Sequence, residues 1–325
     1  MNELPPVLVT RRLAPGVVER LTAHHAATVH DSELPLPRAE LLAAVRGRAA
    51  LITTLDDAVD AELLDAAGPG LKVVANHAVG HHNVDLAACA ARGVLVTNTP
   101  GVLTAATADM AWALLLAATR RLGEGERLLR SGRPWAWAPT FMLGMELAGT
   151  PLGVLGMGRI GQAVARRAHA FDMPVGYHNR RPLPPGQAGG AEWLPLDDLL
   201  AASPVLVVTC PLSDATRHLL DARRLALLPP GAVVVSMTAG VVDEEALAAA
   251  LESGALSAAA VDNFEHEPAV PAALLAQERA VLAPHLGSAT VRTRQAMGGL
   301  AVDNVLAVLA GGAPVTPVAP VGPIG

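Results

Sequence analysis

Short apolar runs recur along the chain, each followed by a segment whose apolar positions fall three or four apart. Residues 7–10, 26–29, 50–54, 72–75 and 94–97 read as buried strands, with helices predicted over 15–23, 38–46, 61–67 and 83–92. Strands alternating with helices indicate βαβ units and a parallel sheet covered on both faces. Residues 104–121 carry Ala and Leu on nearly every face, which predicts a buried helix acting as the hinge into a second unit. Residues 130–148 break the pattern and hold Trp135 and Trp137, two of the four tryptophans. An irregular aromatic arm suggests an interface or a pocket lid, the alternative being a loop whose tryptophans fill core. The alternation then resumes, with strands expected at 152–155, 174–178, 205–209, 232–236, 258–262 and 280–283. Helices are expected at 162–170, 196–202, 222–227, 244–253 and 290–309, before a Pro-rich tail over 311–325 that should be extended or mobile. The second unit is therefore a doubly wound sheet with its ligand crevice at the carboxyl ends of the strands.

The most specific stretch lies between the strand at 152–155 and the helix behind it. It reads Gly156-Met157-Gly158-Arg159-Ile160-Gly161. Strand, GxGxxG and helix in that order suit a dinucleotide pyrophosphate. The first glycine allows a tight turn, the second lets phosphate approach backbone, and the third lets helix and strand pack closely. Backbone N–H groups and the positive helix end then face the phosphates. A purely structural glycine turn is the competing reading. About twenty residues on, an NAD site would place a carboxylate on the ribose 2′-hydroxyl. Here the strand ends Tyr177-His178-Asn179-Arg180-Arg181, with no carboxylate and two guanidinium groups. Guanidinium groups bind a 2′-phosphate, so NADP (NADPH) is the expected cofactor, against the alternative that the two arginines form a solvated turn.

Composition narrows the function classes. The 325 residues are 51% hydrophobic and 17% charged, enough for two domains with sizeable cores and against general disorder. A net charge of −6 with no basic block argues against nucleic acid as a partner. Cys89 and Cys210 sit in apolar segments, so neither a disulfide framework nor a CxxC metal site is indicated, and a reducing cytoplasm is the default location. No signal peptide and no membrane-spanning apolar run is expected. His77, His81 and His82 cluster around a glycine turn, but without matching Cys or carboxylate spacing they do not predict a metal.

Five long motifs in order carry a resemblance that covers nearly the whole chain. They are VVANHAVGHHNVD (73–85), GVLVTNTPGVLTAATADMAWALLLA (93–117), the glycine turn with YHNRR, VDNFEHEP (261–268) and APHLGSAT (283–290). The sequence resembles the D-isomer-specific 2-hydroxyacid dehydrogenases, and within them the glyoxylate/hydroxypyruvate reductase branch. The resemblance implies a fold of class α/β with two doubly wound parallel-sheet domains. A Rossmann coenzyme domain (100–287) would be inserted into a flavodoxin-like substrate domain (1–99 and 288–325), and the protein would be a homodimer.

The resemblance also assigns roles. His285 corresponds to the proton donor and Glu267 to its carboxylate partner. The chemistry is coherent, because reduction of a 2-oxo group needs a hydride and a proton, and a histidine held cationic by a carboxylate supplies the proton near neutral pH. Asp262 resembles the partner of the nicotinamide carboxamide, and Thr107 and Pro211 join the expected cofactor contacts. The N–H groups of Val79 and Gly80 resemble a cradle for the substrate carboxylate. Trp137 resembles the aromatic that reaches a neighbouring subunit's pocket.

One departure stands out. The family pattern N-x-[AS]-R-G-x-[VI]-[VI]-D meets Ser236-Met237-Thr238-Ala239-Gly240-Val241-Val242-Asp243, one residue short, with Ala239 or Thr238 where the arginine belongs. That arginine grips the substrate carboxylate, and losing charged hydrogen bonds of roughly 1.5–3 kcal/mol each is a large deficit. Arg292 and Arg294 are the nearby candidates to replace it. Three readings follow: an NADP-dependent reductase of a small 2-oxo acid to the D-2-hydroxy acid; a reductase of a ketone, aldehyde or imine without an α-carboxylate; and a low-turnover dinucleotide-binding protein. Retention of both His285 and Glu267 speaks against the third.

Overall fold

The computed structural model describes residues 4–318, which form two units. The first comprises the chain up to Leu103 and again from Thr290; the second runs from Thr104 to Ala289. The strands of the first unit are β1 (Pro6–Val9), β2 (Ala26–Val29), β3 (Ala50–Thr53), β4 (Val73–Asn76) and β5 (Leu95–Thr97), all parallel, in the order β2-β1-β3-β4-β5. This is the flavodoxin-like order. Successive side chains of a strand point to opposite faces. Val7 and Val9 therefore join Ile52, Val73 and Ala75 beneath Val302 and Val305 of helix Val291–Leu309, while Leu8 joins Leu51, Val74 and Val96 against Leu63 on the other face. Thr290 caps that long helix by accepting from the Thr293 N–H.

The second unit contains β6 (Leu152–Leu155), β7 (Val175–His178), β8 (Glu192–Trp193), β9 (Val205–Val208), β10 (Ala232–Ser236), β11 (Leu256–Val261) and β12 (Ala280–Leu282). The parallel order β12-β11-β10-β9-β6-β7-β8 is that of a Rossmann sheet, with the reversal between β6 and β9. Central β6, β9 and β10 are buried at every position, as a sheet covered on both faces requires, and the exposed edge at β8 is only two residues long. Both sheets match the two parallel-sheet α/β domains that the sequence predicts.

Helix Thr104–Thr119 opens the second unit. It belongs wholly to the second, where Ala108, Ala111, Trp112 and Leu115 are buried and it packs on helix Arg159–Ala168 and on β10 to β12. The helix stops when Arg121 turns left-handed at φ 53°, and a further helix, Leu122–Arg130, follows where the apolar pattern assigns no element. Gly123 and Gly125 lower its intrinsic propensity, and none of its residues is buried, so no core stripe betrays it. β8 and helix Ala272–Leu275 escape the pattern because they are too short to carry a period.

Residues 133–138 are without regular structure, as the sequence suggests, and Trp135 stacks on Phe141 with centroids 6.1 Å apart. The tail is extended but held. Thr316 Oγ1 donates to the Asn98 carbonyl (2.7 Å), Val318 N–H to the Val96 carbonyl (2.8 Å), and Pro317 bridges Thr97 in antiparallel sense. The remainder of the predicted tail, 319–325, lies outside the described residues.

Candidate active site

The glycine turn follows β6 directly. Gly156 has φ 101°, and a Cβ there would lie 2.4 Å from the Cys210 backbone nitrogen. At Gly161 a Cβ would lie 2.3 Å from the Gly156 carbonyl oxygen, so both positions require glycine for the backbone to close. Gly158 differs, since a Cβ there would meet nothing within 4 Å. Its bareness serves no internal packing and leaves the backbone open to an approaching group. No side chain caps helix Arg159–Ala168 at this end, so its first-turn N–H groups are available to an anion. Arg159 is exposed and Ile160 half-buried. The turn thus fits a dinucleotide pyrophosphate on its own geometry.

At the end of β7 two of the four expected cofactor residues also make contacts within the protein. Asn179 Oδ1 accepts from the Met157 N–H (2.8 Å) and braces the glycine turn, while His178 Nδ1 donates to the Leu194 carbonyl (2.8 Å). Arg180 and Arg181 are exposed and form no ion pair among the described residues. Pro211 follows β9 beside the turn and is exposed, with its carbonyl accepting from Thr216 Oγ1 (2.8 Å).

The carboxyl ends of β11 and β12 make a second corner of the same sheet. Asp262 accepts from the Leu286 N–H (2.7 Å) on one oxygen and from the Gly287 N–H (2.9 Å) on the other. Burial pushes its carboxyl above the ordinary range, opposed by these two N–H bonds. A Cβ on Gly287 would lie 2.9 Å from Asp262 Oδ2, 3.3 Å from the Thr107 methyl and 3.6 Å from Met237 Cε, so these three residues meet at one point. His285 sits between, with its N–H donating to the Asp262 carbonyl (2.9 Å) and a left-handed φ of 55°. A left-handed histidine is uncommon and is tolerated where its surroundings over-determine it. Glu267 Oε2 accepts from His285 Nδ1 at 2.8 Å, and its Oε1 accepts from the Phe264 N–H at 2.9 Å. The structure therefore brings together His285, Glu267, Asp262 and Thr107, with Met237 of the turn after β10.

In that turn Ser236 Oγ donates to the Thr238 carbonyl (3.1 Å), and Gly240 has φ 68°. Thr238 and Ala239 are half-buried, and no cation is contributed by the turn itself. Behind it runs the segment from Arg217, where the His218 N–H donates to the Gly240 carbonyl (2.8 Å) and the Leu220 N–H to the Val241 carbonyl (3.0 Å). Arg217 and His218 both pair with Glu265, the latter at 2.5 Å. Burial acts to raise the Glu265 carboxyl, but the His218 and Arg217 contacts outweigh it and hold it below the ordinary range. These cations escape a motif reading because they lie about twenty residues before the turn.

In the other unit, the loop after β4 carries the proposed cradle. The Val79 carbonyl accepts from Asn98 Nδ2 (2.8 Å) and the Gly80 carbonyl from Asn76 Nδ2 (2.9 Å). Neither N–H of the pair is engaged among the described residues. His77 is buried, and burial, reinforced by the Arg294 charge, lowers its pKa to about 4. His77 Nε2, His81 Nδ1, Thr97 Oγ1 and Thr99 Oγ1 are buried without hydrogen-bond partners among the described residues. Among the described residues no three His, Cys, Asp or Glu side chains group as metal ligands would. Trp137 stands 80% exposed on the arm of the second unit, away from any core.

Residues 112–287 match the family described as D-isomer specific 2-hydroxyacid dehydrogenase, NAD binding domain. The chain is 44% identical over 318 residues to a glyoxylate reductase of Thermococcus onnurineus (strain NA1), covering 96% of this chain and 95% of that one. A crystal structure of a Thermus thermophilus protein superimposes with a TM-score of 0.90 at 45% identity, covering 97% of this chain and 100% of the other. A second, the NADPH-dependent glyoxylate/hydroxypyruvate reductase of Sinorhizobium meliloti in complex with NADP and malonate, gives a TM-score of 0.85 at 37% identity, covering 98% and 97%. Fold, glycine turn and similarity along the whole chain agree: the protein belongs to the D-isomer-specific 2-hydroxyacid dehydrogenase family and is a nicotinamide-dinucleotide oxidoreductase acting on a CH–OH group.

Proposed function

We propose that the protein is an NADPH-dependent reductase of a small 2-oxo acid, of the glyoxylate or hydroxypyruvate kind, giving the D-2-hydroxy acid. The observation that carries the reading is the 2.8 Å pair of His285 Nδ1 and Glu267 Oε2, set at the carboxyl edge of the sheet that bears the glycine turn. The names of the Thermococcus and Sinorhizobium relatives support the substrate class. A reduced nicotinamide dinucleotide, held through its pyrophosphate by the glycine turn, would supply the hydride. His285 delivers the proton from Nε2 to the oxygen that becomes the hydroxyl, and Glu267 holds the ring by Nδ1 and stabilises its charged form. The N–H groups of Val79 and Gly80 receive the substrate carboxylate. Arg292 and Arg294 are the candidate cations to substitute for the arginine absent after β10.

NADP preference rests on Arg180 and Arg181, exposed and without carboxylate partners among the described residues. A homodimer is supported by the exposed Trp135 and Trp137 on an arm of an otherwise aromatic-poor chain. Cys89 and Cys210 as free buried thiols suit a reducing cytoplasm. Thr238 and Ala239 favour one second reading, a carbonyl or imine substrate without an α-carboxylate. NADPH oxidation with glyoxylate and hydroxypyruvate, beside a panel of ketones, aldehydes and imines, separates the two. Turnover confined to the panel would overturn the oxo-acid reading. A higher kcat/KM with NADH than with NADPH would overturn the reading of the arginines.

A further inference from the structure

We infer that Asn263 is a positioning residue for the proton donor, joining His285 to the arginine-free turn after β10. The inference rests on the reading of His285 as the acid. Asn263 follows Asp262 at the end of β11 and is half-buried. One end of its amide lies 3.2 Å from the Met237 carbonyl oxygen and 3.2 Å from Asp262 Oδ2. Both neighbours are acceptors only, so the NH2 group must point that way. The amide oxygen then faces His285, 2.8 Å from Nε2 and 3.0 Å from Nδ1.

Those two distances decide what the contact does. An oxygen almost equidistant from both ring nitrogens lies against the ring between them and in line with neither N–H. It is a charge contact, with the negative end of the amide dipole against the imidazole. Such a contact favours the cationic ring over the neutral one. It also leaves the Nε2 proton free to be given to a substrate, while Nδ1 stays with Glu267. The charged groups facing the ring within this unit are Glu267, from the loop after β11, and Asp262, at the end of β11. Asn263 adds to their field without adding a titrating group. Through its NH2 end it fixes the Met237 carbonyl, so the short turn and the acid share one side chain.

The test is the pH profile of kcat/KM for the parent, Asn263→Leu and Asn263→Asp, with NADPH affinity and thermal midpoint measured on each. Asn263→Leu removes the dipole at similar volume. Its alkaline limb moves to lower pH and kcat above the limb falls, by up to about tenfold, with KM and NADPH affinity within about twofold of the parent. Asn263→Asp keeps the shape and places a carboxylate at the ring, so its limb moves to higher pH. Should the leucine variant fail to fold, the aspartate variant alone decides. Profiles that superimpose on the parent's overturn the inference, as does a rise in KM matching the loss in kcat. His285→Ala separates the two levels: if it stays active, the reading of the acid fails first. If it is inactive while the Asn263 variants behave as the parent does, only the inference on Asn263 falls.

Discussion

Two loops at the carboxyl ends of parallel strands use their hydrogen bonds in opposite ways. In the corner formed by β11 and β12, Asp262 takes two backbone N–H groups, Glu267 takes one N–H and the His285 ring, and the ring is further faced by Asn263. In the loop after β4 and at the carboxyl end of neighbouring β5, four buried polar atoms, on His77, His81, Thr97 and Thr99, find no partner among the described residues. Each unpaired buried group costs roughly 1–3 kcal/mol. The first loop is a finished frame that fixes one side chain. The second leaves polar atoms unpaired at the carboxyl ends of β4 and β5. Chemistry that moves a proton needs the first arrangement, because the acid must be held before the substrate arrives.

The largest expected effect tests whether the frame serves catalysis. His285→Ala should lower kcat by about 10²–10⁴, the usual worth of a positioned general acid. NADPH binding, read by fluorescence titration, should stay within about threefold, since the glycine turn lies after β6 and does not use this ring. Unimpaired turnover would reduce the Glu267–His285 pair to a structural contact.

The next effect sits in the other loop and is read as stability. His77 titrates near 6.5 when unfolded and at about 4 when folded, because burial, with Arg294 near, disfavours its charge. Between those values the unfolded chain binds the extra proton and the folded chain does not. The contribution of His77 is therefore whole above its unfolded pKa and is lost as the pH falls towards its folded one, to a total of about 3 kcal/mol. Urea unfolding at about pH 7.5 and about pH 5 should show His77→Gln losing about 2 kcal/mol less than the parent on acidification. Equal losses would show that the ring is not held neutral by the fold.

The contrast between the loops also explains what could be read from the chain beforehand. The two sheets were legible because fully buried parallel strands such as Val205–Val208 and Ala232–Ser236 are apolar almost without interruption. The glycine turn was legible because Gly156 and Gly161 have no alternative, a Cβ at either colliding with backbone. His285 and Glu267 were singled out by motif, and the fold sets them 2.8 Å apart. Asn263 lay inside the same motif and gave no signal, because its role depends on the Met237 carbonyl about twenty-six residues earlier, a backbone atom no residue type advertises. Asn179, expected at the cofactor, also braces the Met157 N–H, a contact that no residue type advertises because its partner is backbone. The helix Leu122–Arg130 hid for the converse reason, burying nothing.

A smaller pair of substitutions tests the frame from the cofactor side. Gly161→Ala forces a Cβ to 2.3 Å from the Gly156 carbonyl and should destabilise the second unit by about 1–3 kcal/mol, as overpacking does. Gly158→Ala meets nothing within 4 Å and should leave the thermal midpoint almost unchanged while weakening NADPH binding by about tenfold or more. Equal affinity in Gly158→Ala and parent would remove the phosphate from that position.

The smallest expected effect carries the comparison to its sharpest form, because its sign differs between the loops. Thr97 and Thr99 are fully buried with unpartnered hydroxyls, and Thr97 lies in β5, where a β-branched side chain is favoured. Thr97→Val and Thr99→Val exchange a buried hydroxyl for a methyl of nearly the same shape. A paired hydroxyl would make such a change destabilising. An unpaired one makes it stabilising, by about 1 kcal/mol each, because the desolvation cost of the hydroxyl is removed. The same kind of exchange in the β11–β12 corner, Asp262→Leu, strips the Leu286 and Gly287 N–H groups of their acceptors and should destabilise by about 2 kcal/mol or more. Urea midpoints rising for the threonine variants and falling for the aspartate variant would establish the opposite hydrogen-bonding states of the two loops. A fall for all three would show that the threonine hydroxyls are satisfied in solution, and the contrast between the loops would fail there.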